Sequence, residues 1–150
     1  MFIIDIQGFT NGCNFICKEI AIMNTVTGYW QHKLINWTVQ NLHGLPWDLL
    51  SPSAEDFLYY EQITTFIKDF VQDAPIFVKG HQKKQWLERI ITNHVTDLYD
   101  AGCPSLATLK KTFKYRHCFK HLYNNLTCAL ENVHLLYNWK LITNLDGCNE

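Results

Sequence analysis

The stretch that most constrains the fold stands at the start of the chain, Phe2-Ile-Ile-Asp5-Ile-Gln7-Gly8-Phe9. It is β-branched and aromatic, too short for a helix of ordinary length, and closed by a glycine, so it reads as a buried strand. Period-two alternation puts Asp5 and Gln7 on one face with Ile3. An acid inside such a strand is costly unless it has a partner or a task.

Residues 14–24 read as a second strand, with Phe15, Cys17, Glu19 and Ala21 on one face and Ile16, Lys18, Ile20 and Ile22 on the other. Glu19 is therefore a second acid inside a sheet. Thr25-Val-Thr-Gly28 supplies a turn, and residues 29–35 return as a third, antiparallel strand. The pattern then breaks over residues 37–52, where His43, Gly44, Pro46 and the flanking Trp37 and Trp47 mark an irregular loop. Ser53-Ala-Glu-Asp56 resembles a capping box, and Phe57, Tyr60, Ile63, Ile67, Phe70 and Val71 follow at helical spacing, predicting a helix over 54–72.

Beyond it the grammar changes to strand, glycine, helix: a strand from Pro75 to Lys79, an amphipathic helix over 81–92, and a fifth strand over 94–98. Gly102-Cys-Pro104-Ser105 is expected to open a short helix with Pro in its first turn. A closing helix carries Ala129, Leu130, Val133, Leu136, Tyr137 and Leu141, entered at Asn124 or Asn125. Three antiparallel strands followed by alternating helix and strand predict an α/β fold with a mixed sheet flanked by helices, the order of an RNase H-like domain. The whole 150 residues are expected to form one domain.

Charged residues make up only 18% of the chain and the formal charge is −1, so nucleic-acid binding would need a local basic patch rather than an overall field. No apolar run approaches the roughly eighteen residues of a membrane span, and the first residues lack a basic leader and a cleavage site. The expectation is an intracellular protein, cytoplasmic or nuclear, with no membrane partner and with reduced thiols. Reduced cysteines favour metal ligation over disulfides. The segment Cys118-Phe-Lys-His121-Leu-Tyr-Asn-Asn-Leu-Thr-Cys128 offers two thiols and an imidazole, the donors that tetrahedral Zn²⁺ prefers. A fourth ligand has to come from elsewhere, and would staple the closing helix to the body of the domain.

In this order the residues resemble the DEDDh exonuclease group of the RNase H-like superfamily. That family holds two Mg²⁺ ions on an Asp-x-Glu of its first strand, an Asp on the helix after the fourth strand, and a late His and Asp. Here Asp5 is retained, but Gln7 stands in the Glu position, Lys83-Lys84 falls where the helix Asp would be, and Cys128-Ala129 replaces the late Asp-Ala. Standard two-metal exonuclease activity is therefore not expected. The closer resemblance is to the Maelstrom domain, a branch of this fold from germline, piRNA-type small-RNA silencing, whose acidic set is replaced by a Glu, His and Cys set with a zinc site. Glu19, His43, Cys118, His121 and Cys128 resemble that set. The resemblance implies structural Zn²⁺ on Glu19, Cys118, His121 and Cys128, with Cys103 or His43 as alternatives to Glu19.

Three functions stay open on the sequence. The first is a zinc-stabilised, catalytically degenerate module that binds single-stranded RNA or a protein partner. Lys83, Lys84, Arg89, Lys110, Lys111 and Lys114 would meet the phosphates, and Trp86, Phe113 and Tyr115 would stack on bases. The second is a single-stranded RNA nuclease of non-standard mechanism, with Asp5 and His43 as candidate catalytic residues. The third is a protein-interaction module that uses the loop from Trp37 to Trp47.

Overall fold

A computed structural model describes residues 1–36, 57–113 and 128–143. Strand β1 (Phe2–Asn11) turns at Gly12 into β2 (Asn14–Asn24), and β3 (Trp30–Asn36) returns antiparallel to β2. β4 (Phe57–Tyr59) lies parallel to β3, and helix α1 (Ile63–Val71) follows. β5 (Ile76–Val78) then pairs parallel to β1, and after α2 (His81–Ile90) β6 (Val95–Asp97) pairs parallel to β5. Helices α3 (Leu106–Thr112) and α4 (Ala129–Thr143) complete the described chain. The sheet order is β4-β3-β2-β1-β5-β6, a mixed six-stranded sheet flanked by helices, as the element order predicted.

Alternation divides the core into two layers. Ile4, Ile6, Ile20 and Ile22 pack beneath Ile63, Ile67 and Val71 of α1 and Trp86 and Leu87 of α2. On the other face Ile3, Ala21 and Met23 pack with Leu109 of α3 and Ala129, Leu130, Val133 and Leu136 of α4. Burial of each large aliphatic side chain stabilises by roughly 1.5–3 kcal/mol, and both faces of β1 and β2 are covered.

The structure corrects the sequence reading at several places. The helix expected over 54–72 is shorter, because Phe57, Leu58 and Tyr59 pair with Leu34, Ile35 and Asn36 before Ile63 begins the helix. Apolar Phe57 and Leu58 fit a short strand as well as the start of a helix, and an available partner strand decided between them, while Tyr60 falls in the 3-10 turn Tyr60–Gln62 that leads into α1. The short helix after Gly102 starts two residues beyond Pro104, at Leu106. Ser105 is its cap and its hydroxyl accepts the Thr108 N–H, which proline has no side-chain acceptor to do. Asn124 and Asn125 lie outside the described residues, and α4 begins at Ala129.

Cys17 also changes face. Gln7 pairs with Glu19 but Gly8 pairs with Cys17, so Lys18 is an extra residue in β2 and the strand bulges there. Cys17 consequently joins the layer of Ile20 and Ile22 instead of lying beside Glu19. A Cβ on Gly8 would stand 1.9 Å from the Ile16 carbonyl oxygen, so the bulge needs glycine at this position.

Candidate metal centre

The register across the first three strands builds the site. Gln7, Glu19 and Leu34 form one row of partners across β1, β2 and β3, and Asp5, Ala21 and His32 form the next. Cross-strand partners point to the same face, so Asp5, Glu19 and His32 all face the layer that α4 covers. Ala21, the smallest side chain in its row, leaves room for the first turn of α4 to descend between Asp5 and His32.

Glu19 receives that turn. Its Oε1 accepts the Ala129 backbone N–H at 2.8 Å, satisfying one of the N–H groups that a helix start leaves unpaired and setting a negative charge at the positive end of the helix. The same Oε1 lies 2.5 Å from His32 Nε2. Cys128, the residue before α4, brings its Sγ to 4.0 Å from that Nε2. Glu19, His32 and Cys128 are 4%, 2% and 1% exposed, and their donor atoms lie within 4.8 Å of one another. This buried group could hold a metal ion.

The geometry distinguishes a ligand set from a catalytic relay. A nucleophilic triad places its acid on one imidazole nitrogen and its nucleophile on the other. Here the carboxylate and the thiol both converge on Nε2. A tetrahedral ion with bond lengths near 2.0–2.3 Å separates such donors by roughly 3.3–3.6 Å. The carboxylate and imidazole would part by under about 1 Å and the thiol would close by less, so side-chain rotation suffices.

Of the metal ligands expected from sequence, Glu19 and Cys128 come together here; Cys118, His121 and His43 lie outside the described residues. Cys103 is buried in the α4 layer, beside the Pro104 carbonyl, and is not part of the group. Burial pushes its thiol up to about 11, while burial drives Cys17 still further above the ordinary thiol range. His32 was not anticipated. It stands in Gln-His-Lys on β3 with no neighbouring Cys or His, and the signal that finds it is hairpin register, which makes it the diagonal neighbour of Glu19.

Asp5, the acid of β1, is 1% exposed and accepts three donors. Lys83 Nζ reaches its Oδ1 at 2.7 Å, and Gln7 Nε2 and Asn132 Nδ2 reach its Oδ2 at 2.7 and 3.0 Å. Lys83 is thus engaged with Asp5. Lys84 is half-buried, and Arg89, Lys110 and Lys111 are exposed; Lys114 and Tyr115 lie outside the described residues. Trp86, expected to stack on bases, is instead 9% exposed and packs edge-on against Phe15 in the core. Phe113 is partly buried against the α4 layer, and α2 and α3 lie on opposite faces of the sheet. The loop from Trp37 to Trp47 falls outside the described residues. Among the described residues no helix is long and apolar enough to cross a membrane.

No protein-family model matches the sequence, and no curated protein matches it.

Proposed function

We propose that this chain is a zinc-closed, catalytically degenerate RNase H-like module that binds single-stranded RNA. The observation that carries the reading is the convergence of Glu19 Oε1, His32 Nε2 and Cys128 Sγ beneath the first turn of α4. One carboxylate, one imidazole and one thiolate suit Zn²⁺ better than Mg²⁺ or Ca²⁺, which take oxygen donors. Cys118 and His121, the further ligands expected from the sequence, lie outside the described residues and are the candidates for a fourth position. The ion joins β2, β3 and the start of α4 and is structural, since its donors are buried.

The RNase H-like reading is supported by the strand sequence, three antiparallel strands and then parallel strands added on the far side of β1. Degeneracy is supported by Asp5. Its two oxygens are taken by Lys83, Gln7 and Asn132, where a two-metal nuclease needs several carboxylates open to cations. The RNA assignment draws on the exposed Arg89, Lys110 and Lys111.

The deciding experiment measures metal content together with binding of a fluorescent single-stranded RNA. The reading predicts about one zinc per chain, retained by Lys110→Glu/Lys111→Glu while RNA affinity falls about tenfold or more. Unchanged RNA affinity in that variant would remove the RNA assignment. Mg²⁺-dependent cleavage of the RNA, abolished by Asp5→Asn, would replace degeneracy with the nuclease reading.

A further inference from the structure

An aromatic cluster at the N-terminal ends of β1 and β3, in the layer of α1, serves neither the metal-type group nor the basic residues of α2 and α3. Phe2 opens β1, Tyr29 stands just before β3, and Phe66 and Phe70 lie one turn apart on α1. Phe70 is the hub. Its ring meets Phe2 edge-on with centroids 5.6 Å apart, meets Phe66 at 6.2 Å, and lies parallel to Tyr29 at 5.8 Å with 9° between the planes. Phe2, Phe66 and Phe70 are partly buried, but Tyr29 is 58% exposed and Val26, at the tip of the turn before it, is 84% exposed.

Tyr29 is exposed and yet fixed from three sides. Phe70 covers one face of its ring, and Gln31 Nε2 donates to its Oη at 2.9 Å. Its carbonyl accepts the Asn24 N–H at 2.8 Å, and its own N–H donates to Thr27 Oγ1 at 3.2 Å. A ring with one face backed and the other in water has little freedom left to lose on binding, so stacking on it costs little entropy.

The charge beside the cluster selects the ligand. Asp69 follows Phe66 by three residues on α1, so it lies on the flank of the helix that carries Phe66 and Phe70, and Asp73 stands in the turn beyond. Both acids are exposed. The Phe2 N–H donates to the Pro75 carbonyl at 3.1 Å, which keeps that turn against the cluster. Lys68, the cation of α1, is two residues from both Phe66 and Phe70 and projects from another side of the helix. Lys33 on β3 stands four residues, about 13 Å, along the chain from Tyr29. An aromatic face with carboxylates beside it attracts cations and repels phosphates, and a planar guanidinium stacks on it where a compact ammonium does not.

We propose that Tyr29, backed by Phe70, is the docking point for an arginine-bearing peptide of a protein partner, whose guanidinium lies on the outer face of the ring and pairs with Asp69 or Asp73. Val26 and the exposed parts of Phe2 and Phe66 take the apolar side chains that flank the arginine. The inference stands independently of the zinc and RNA assignments.

The test titrates the full, isotope-labelled chain, followed by amide NMR, with a pentapeptide that carries arginine at its centre between prolines and terminal leucines. A matched peptide carries citrulline, which keeps the shape of arginine without its charge. The arginine peptide is expected to give saturable shifts confined to residues 24–31 and 66–75. Affinity should fall about tenfold in Tyr29→Ala and about threefold in Asp69→Asn/Asp73→Asn, and the citrulline peptide should give no shifts. Tyr29→Phe, which loses only the hydroxyl that Gln31 meets, should bind within about twofold of wild type. If Tyr29→Ala lowers the melting temperature, the Asp69→Asn/Asp73→Asn variant, altered only at exposed positions, decides. Equal binding of the two peptides, undiminished binding by both variants, or no saturable shift at millimolar peptide would each overturn the proposal. Shifts of the same amides on adding single-stranded RNA, or on raising the chain concentration, would also overturn it, giving the ring to a base or to a second copy.

Discussion

Glu19 and Asp5 are buried carboxylates on one face of one sheet, in adjacent rows of partners, and each touches the first turn of α4, Glu19 through Ala129 and Asp5 through Asn132. Their charges are met in opposite ways. Glu19 is surrounded by an imidazole and a thiol, donors that share its appetite for a metal ion. Asp5 is surrounded by an ammonium and two amide N–H groups, which leave it nothing to bind. A buried carboxylate therefore announces a charge to be balanced, and only its neighbours say whether a metal or a side chain balances it.

Removing the proposed ion is the largest way to break that contrast. On the zinc reading, Cys128→Ser or a strong chelator should cost on the order of 5 kcal/mol of stability and release the metal, because the ion would tie three separate elements together. Metal analysis beside denaturant melts checks this. An equal loss of zinc in Asp5→Asn would show that the two carboxylates serve one site.

Next comes Lys83→Met, expected to destabilise by about 3–5 kcal/mol because it strands the Asp5 charge, with zinc content unchanged. Lys83→Met/Asp5→Asn should regain most of that loss, and urea melts of both variants measure the coupling. Strict additivity of the two single substitutions would mean that the ion pair is incidental.

Gly8→Ala should cost about 2–3 kcal/mol, since its methyl meets the Ile16 carbonyl and the bulge must open. The bulge lies directly beyond the Gln7 and Glu19 pair, so zinc content should fall with stability. Gly12→Ala sharpens the point. Gly12, unlike Gly8, has a left-handed φ, of 64°, but a Cβ there meets no atom within 4 Å, so about 1 kcal/mol and no change in metal content are expected.

Legibility in the sequence followed how local the cause was. The strands around Asp5 and Glu19, helix α2 and helix α4 are written in short apolar periodicities, and the sheet's mixed character in their order. Asp5, Glu19 and Cys128 stood out as acids in apolar strands and a thiol before a helix. His32 did not, because its proximity to Glu19 depends on the register of a hairpin rather than on any spacing along the chain. The Cys17 face was misread for the same reason, since one extra residue in β2 inverts all that precedes it. The strand at Phe57–Tyr59 exists because β3 offers an edge, which no local pattern reveals.

The smallest expected effect separates the two buried cysteines of the α4 layer. Cys128 belongs to the metal-type group, whereas Cys103 lies in the same layer as an ordinary thiol. Burial raises Cys103 from 9.0 to about 11 in the folded chain. Below pH 9 both folded and unfolded chains keep this proton, and the thiol has no effect on the balance. Between pH 9 and 11 the unfolded chain releases it while the folded chain retains it, so rising pH favours unfolding, by on the order of 1–2 kcal/mol across that window. Cys103→Ala should flatten this alkaline fall relative to wild type, read from denaturant midpoints at pH 8, 9, 10 and 11. Cys17 moves in the same direction and leaves a remainder in the variant. If Cys103→Ala changes nothing and Cys128→Ser instead removes the fall, Cys128 is a free thiol and the contrast between the two carboxylates loses its metal.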